Sequence, residues 1–405
     1  MTSTTNALDI TKKLISYPTI TPLELNIYEY IKGLLPDFEA LHIDKDGVKN
    51  LFLYKIPTHL ESKSFNRDIL HLCFAGHIDV VPPGGEWNEH SNKALNNKNN
   101  ANHWRFNPFT PTISDGYLYG RGAQDMKSGV ACFISAIKEF LTKDNKQDFI
   151  ISILLTSDEE GEAIHGSKYA LEILKSKNLM PTHCIVAEPT SNNIAGDIIK
   201  VGRRGSINGK IYISGKQGHV AYPSKCINPI ELLGDRLGKL AGVNLDSGTK
   251  EFEPSKLVIT DIRAGIETVN VTPNDMRIMF NVRNSTKTSL DSLRSYIEGV
   301  LSGLPYTLEL RQSAQGFLTT DKKFIDILES SILDSNKFDV IDVTRSTSGG
   351  TSDARFFSAH GIGVAEIGVC NDRIHAINER VKLKDIERLN IIFFNVLCNF
   401  GKIIH

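Results

Sequence analysis

Runs of apolar residues alternate along this chain with amphipathic stretches, and the alternation predicts strands and helices by turns. Helical spacing of Leu8, Ile10, Leu14 and Ile15 predicts a first helix from Asn6 to about Ile15. A second follows from about Leu23 to Leu35, after a Pro-punctuated loop. Mostly apolar strands are expected near Leu51–Ile56, Ile69–Ala75, Phe149–Thr156 and His183–Ala187. The glycine-bordered segment Gly120–Gly129 leads into Val130–Ile137, which reads as a packed helix. From about Gly205 the texture changes. Strand Ile207–Ile213, helix Pro229–Leu240, strands Lys256–Ile262 and Met276–Val282, helix Leu290–Leu301 and strand Tyr306–Leu310 follow in order. This β-α-β-β-α-β succession predicts a ferredoxin-like unit. It reads as an insertion, because helix and strand resume at Lys322–Leu333, Phe338–Val343, Ile362–Ile367 and about Leu383–Leu397. The expected organisation is α/β: a discontinuous domain, 1–204 and 314–405, with an inserted domain, 205–313.

Composition narrows the class. At 405 residues the chain is too long for one ordinary domain. Its 40% hydrophobic and 23% charged residues are those of a globular protein with a sizeable core. A net charge of −1 sets up no global field toward nucleic acid or an anionic membrane, so neither is an expected partner. No apolar run approaches a membrane span, and the first residues lack the basic-then-apolar pattern of a secretory leader. The six cysteines are widely spaced without a CxxC pair, which suits reduced thiols in the cytoplasm better than disulfides. An Asn-rich stretch at about 88–103 has almost no large apolar residues and is expected to be a surface excursion.

The candidate chemistry lies where strands end. His77 and Asp79 close the Ile69–Ala75 run, and period-2 geometry points both side chains to one side. Asp125 stands at the entrance to the Val130–Ile137 helix. That segment matches neither GxGxxG nor the phosphate loop, since Lys127-Ser128 follows Met126 where a Gly is needed. The Phe149–Thr156 strand runs into Asp158, Glu159 and Glu160, consecutive acids that repel unless a cation compensates. His183–Ala187 ends in Glu188, and His375 follows the strand at Ile362–Ile367. Two histidines and several carboxylates without a cysteine suit zinc or a neighbouring transition metal better than calcium or magnesium. Two divalent ions balance the carboxylates of Asp125, Glu160 and Glu188 plus one hydroxide, which makes a water-activating two-metal site plausible. Glu159 is then left over to accept a proton. Spacing alone does not choose between Glu159 and Glu160.

The motifs GHIDVVPPG, YGRGAQDMKSG, LLTSDEEG, VAEPT and IHAINE together resemble the successive motifs of the zinc aminoacylase and carboxypeptidase-type amidohydrolases. The resemblance runs along nearly the whole chain. It implies a zinc-exopeptidase-like α/β catalytic domain with an inserted ferredoxin-like lid that also forms a homodimer. It further implies two Zn2+ per subunit, for which Co2+ can substitute. His77 and Glu188 would hold one ion and His375 and Glu160 the other, with Asp125 bridging. Glu159 becomes the general acid/base and Asp79 the group that fixes the His77 ring. His219 resembles the histidine that crosses to the partner's active site to stabilise the oxyanion.

Within the family, IKVGRRGSINGK, GKQGHVAYP, SGGTSDARFF and NDRIHAINERV most resemble the branch that removes a succinyl group from an N-succinylated diamino-dicarboxylate in amino-acid biosynthesis. Arg203, Ser206, Tyr222, Asn270, Arg283, Gly350, Thr351 and Asn371 fall at positions resembling substrate contacts, and Arg204 is the alternative to Arg203. Arg and hydroxyl donors suit the substrate's carboxylates. The alternative is an acetylornithine deacetylase or a related aminoacylase or dipeptidase using the same metals. A catalytically silent binding module is disfavoured by the presence of Glu159.

Overall fold

The computed structural model describes residues 6–60, 69–84, 103–143, 147–335 and 342–404, and the backbone of the short strand pair Trp87–Asn88 and Lys93–Ala94. The remainder of the Asn-rich stretch, up to residue 102, lies outside the described residues. Two compact units divide the chain. The first comprises Met1–Val201, Thr319–Ser346 and Ser352–His405, and the second Gly202–Leu318 and Thr347–Thr351.

The first unit is built on an eight-stranded sheet. Its strands are β1 (Glu39–His42), β2 (Asn50–Lys55), β3 (His71–His77), β4 (Ile150–Thr156), β5 (His183–Val186), β6 (Ile198–Lys200), β7 (Thr344–Ser346) and β8 (Gly363–Glu366). In space they run β1-β2-β4-β3-β5-β8-β6-β7. The central four, β4-β3-β5-β8, are mutually parallel. Every residue of β3, β4 and β5 is buried, so both faces of the sheet are covered, as parallel strands require. Helices Ala7–Ile15, Lys127–Thr142 and Leu383–Phe400 pack against one another. Phe74 of β3 meets this layer, 5.5 Å from the Phe133 ring and 5.3 Å from Phe393. Helices Ser167–Ser176 and Ala354–Ala359 form a second pair beside the sheet.

The second unit carries four antiparallel strands and two helices in the order β-α-β-β-α-β. Its sheet runs Lys256–Ala264, Asp275–Asn284, Gly205–Ser214, Tyr306–Ala314, with the first strand in sequence paired on both sides. Ile207, Ile211, Ile278, Phe280 and Val282 project from one face and join Leu293 and Ile297 of helix Leu290–Val300 in a buried core.

One expectation needs correction. The helix at Pro229–Leu240 ends at Leu233 and gives way to a 3-10 turn over Gly234–Lys239. Gly234 takes a φ of +41°, which breaks the α-helical hydrogen-bond ladder. A late strand is present at Thr344–Ser346; most of the strand expected at Phe338–Val343 lies outside the described residues. The six cysteines are free thiols, four of them buried.

Candidate metal centre

The four parallel strands end side by side, and each delivers acid or imidazole groups to the same edge. β3 ends on His77, β4 runs into Glu159 and Glu160, β5 into Glu188, and β8 into the loop that bears His375. Ligands in open α/β sheets are held beyond the carboxyl ends of such strands. Asp125 arrives from elsewhere, two residues before the buried helix Lys127–Thr142, through a cis peptide to Met126.

These groups form two overlapping triads. The ligand atoms of His77, Asp125 and Glu188 lie within 4.8 Å of one another, and so do those of Asp125, Glu160 and His375. Asp125 belongs to both. Its Oδ1 is 3.0 Å from His77 Nε2, and its Oδ2 is 3.5 Å from His375 Nε2. His375 Nε2 also lies 2.8 Å from Glu160 Oε1. Half-buried Glu159 stands in a further such group with His77 and Glu160.

The electrostatics of the cluster call for positive charge. Burial pushes the Glu188 carboxyl well above its ordinary range, and the carboxylates of Asp125 and Glu159 add to the effect. Glu159 moves the same way, chiefly through burial. Burial would raise Asp125 too, but contact with His375 and His77 holds it below the usual carboxylate range. His375 is raised to about 10 by Asp125 and Glu160. Burial opposes protonation of His77, yet Asp125 outweighs it and lifts the imidazole well above its usual value. Four carboxylates are thus crowded with only two imidazoles to compensate. An oxygen and nitrogen donor set without sulfur, one carboxylate shared between two triads, and this crowding fit a pair of divalent transition-metal ions.

The surrounding loops hold the cluster through the main chain. Asp79, expected to fix the His77 ring, is fully buried beside it. The closer contact is its carbonyl oxygen, 2.9 Å from His77 Nδ1, with the carboxylate at 3.6 Å. The carboxylate instead accepts the Glu160 N–H at 3.1 Å and the Glu159 N–H at 3.4 Å, fixing the acidic turn. Sequence reasoning gave no role to Arg121, Gln124 or Glu379. Buried Glu379 accepts the backbone N–H groups of Gly122, Gln124 and Asp125 and pairs with Arg121 at 2.7 Å. Gln124 reaches the His375 loop, donating to Asp372 at 2.7 Å and accepting the Arg373 N–H at 2.8 Å. Both charged residues stand inside motifs already singled out, YGRGAQDMKSG and IHAINE.

A model of peptidase family M20/M25/M40 matches residues 73–399. The chain belongs to this family. It is a metal-dependent hydrolase by that membership. A relative from Helicobacter pylori strain 26695, named succinyl-diaminopimelate desuccinylase, is 53% identical over 399 residues, covering 97% of this chain and 98% of that protein. Among solved structures, aminopeptidase PepT from Bacillus cereus superposes with a TM-score of 0.76 at 18% identity, covering 98% of this chain and 99% of that one. The Bacillus subtilis YXEP protein, described as a dinuclear metal-binding peptidase of the M20 family, gives 0.67 at 15% identity with 98% of each chain covered.

In this M20 chain the helix that follows Asp125 comes close to the backbone that precedes Glu188. A Cβ on Gly129, in the first turn after Asp125, would sit 2.4 Å from the carbonyl oxygen of Ala187, next to Glu188. Gly129→Ala should therefore push the helix from β5, lowering stability by about 1–3 kcal/mol and weakening metal retention. Thermal unfolding and metal content after gel filtration measure both; wild-type values would show that the approach is not tight.

The other sequence candidates divide between the units. Asn371 lies in the first, on the His375 loop, its N–H donating to Ser191 O at 3.0 Å. The rest are in the second. His219 is exposed in the short strand Gly218–His219, and its Nδ1 accepts the Ala221 N–H at 3.1 Å, which leaves the proton on Nε2. Tyr222 packs edge-on to its ring at 6.0 Å, and Asn270 O accepts the Val220 N–H at 3.1 Å. Ser206 and Arg283 are cross-strand partners, and Ser206 Oγ accepts from Asn281 at 3.0 Å. Buried Arg203 donates to Ser348 O at 3.1 Å, on the same five-residue segment as Gly350 and Thr351. Arg204 instead pairs with Glu253 at 3.1 Å. Arg283 is lowered by burial and by the like charge of Arg204, and no carboxylate pairs with it among the described residues.

Proposed function

We propose that this chain hydrolyses N-succinyl-LL-2,6-diaminopimelate to succinate and LL-2,6-diaminopimelate, in the route to lysine and meso-diaminopimelate, with two zinc ions. The observation that carries the reading is the pair of triads sharing Asp125, in a chain 53% identical to a protein named succinyl-diaminopimelate desuccinylase. His77 and Glu188 hold one ion, His375 and Glu160 the other, and Asp125 both. Bound zinc supplies Lewis acidity and lowers the pKa of the attacking water; cobalt can take its place. Glu159 accepts that water's proton and returns it to the departing amine. Asp79 keeps Glu159 and Glu160 in register through their N–H groups.

The second unit acts as lid and homodimer surface, and His219 from the partner subunit donates from Nε2 to the oxyanion. Arg203, Ser206, Tyr222, Asn270, Arg283, Gly350, Thr351 and Asn371 receive the substrate. Unpaired Arg283 suits a carboxylate in particular. No helix among the described residues is long and apolar enough to cross a membrane, and the proposed location is the cytoplasm.

The test is parallel hydrolysis of N-succinyl-diaminopimelate and N-acetylornithine with added zinc. Cleavage of the succinyl substrate is expected; cleavage of N-acetylornithine alone would overturn the acyl assignment. His219→Ala should lower kcat by about a hundred- to a thousandfold, the cost of one oxyanion donor, while the protein remains dimeric by light scattering. Near-normal rates would remove His219 from the reaction.

A further inference from the structure

Arg121 and Glu379 touch no proposed ligand side chain, yet their main-chain contacts tie three ligand-bearing loops together. We propose that this buried pair is a positioning node that sets metal affinity by fixing the backbone beneath His77, Asp125 and His375 at once. The inference rests on the two-metal reading above.

Both side chains are almost completely buried, Arg121 at 2% exposure and Glu379 at 0%. The Arg121 guanidinium donates to the carbonyls of Pro82 and Pro83, in the loop that follows His77, at 3.4 and 3.1 Å. The same group donates to the carbonyls of His375 and Ala376, at 3.3 and 3.4 Å. Trp104 covers it, with the guanidinium carbon 5.2 Å from the ring centre and the indole N–H donating to Pro83 O at 3.0 Å. Glu379 completes the set from the acceptor side, taking the N–H groups of Gly122 at 3.0 Å, Gln124 at 2.8 Å and Asp125 at 3.2 Å. The contacts to those loops thus go to main-chain atoms, which set where a loop runs rather than what it carries.

A buried ion pair contributes little net stability, because desolvation offsets the attraction. A fork with planar donors on one partner and two acceptor oxygens on the other is well suited to specifying geometry. Asp125 belongs to both triads, so displacement of its backbone disturbs both ions. Groups that orient ligands in this way typically change metal affinity by about 10- to 100-fold.

The experiment is a cobalt titration of the metal-free full chain, followed by visible absorbance, for wild type, Arg121→Lys and Glu379→Gln. Arg121→Lys keeps the charge but loses the planar fork. Glu379→Gln keeps one acceptor oxygen but loses the charge. Both variants are expected to bind both cobalt ions about 10- to 100-fold more weakly. Phe393→Leu, in the helix layer packed on Phe74, lowers stability without touching the node and should bind cobalt as wild type does. Wild-type affinity in either node variant, or an equal loss in Phe393→Leu, would overturn the proposal. Should a single variant fail to fold, Arg121→Met/Glu379→Met, which leaves no buried charge unpaired, decides by the same criterion. Failure of wild type to bind cobalt would overturn the two-metal reading itself. Two ions bound in wild type with unchanged variants would overturn only the node.

Discussion

Glu159→Gln should retain both metal ions and lose activity by about a hundred- to ten-thousandfold in kcat, the usual contribution of a general acid–base group. Glutamine keeps the shape and one carbonyl oxygen but cannot take a proton at neutral pH. The proposed ligands, His77, Asp125, Glu160, Glu188 and His375, are untouched by the change. The Glu159 N–H still points to Asp79, so the turn carrying Glu160 keeps its anchor. Metal content and steady-state rates separate the outcomes. Undiminished turnover would remove Glu159 from proton transfer, whereas loss of metal would make it a ligand.

Asp125→Asn should have the opposite signature, with metal loss preceding any question of rate. Asp125 is the one carboxylate common to both triads, with one oxygen toward His77 and the other toward His375. Asparagine offers a single neutral acceptor in place of two charged ones, so neither ion keeps its bridging ligand. Wild type should gain thermal stability on adding zinc, by about 2.7 kcal/mol at a hundredfold excess over Kd. Asp125→Asn should show little of that gain over the same zinc range. An undiminished zinc-dependent shift would end the bridging assignment.

Much of this arrangement is legible in the chain because of what parallel strands demand. A strand buried on both faces is a continuous apolar run, so the polar residues that end it stand out. His77, Glu159, Glu160, Glu188 and His375 were all visible in that way, and the structure brings them to one edge. Asp125 was less exposed to such reasoning, since it precedes a helix and looks like an ordinary helix-entry acid until its neighbours are known. Two features were hidden. Whether Asp79 meets the imidazole with its carboxylate or its carbonyl depends on a chain turn that sequence pattern does not encode. The Arg121–Glu379 contact joins residues far apart in sequence, and nothing local announces it. At Gly234 the error ran the other way, because apolar periodicity continued through a glycine that ends the α-helix.

The placement of β8 beside β5 has a consequence for how the protein acquires its metals. His77 and His375 are far apart in sequence, and the strands that lead to them become neighbours of β5 only through long-range parallel pairing. Such pairings form slowly. Before they form, both triads that share Asp125 are incomplete. Affinity then rises steeply with the docking of one strand, so a bound divalent ion would favour the finished sheet over a partly assembled one.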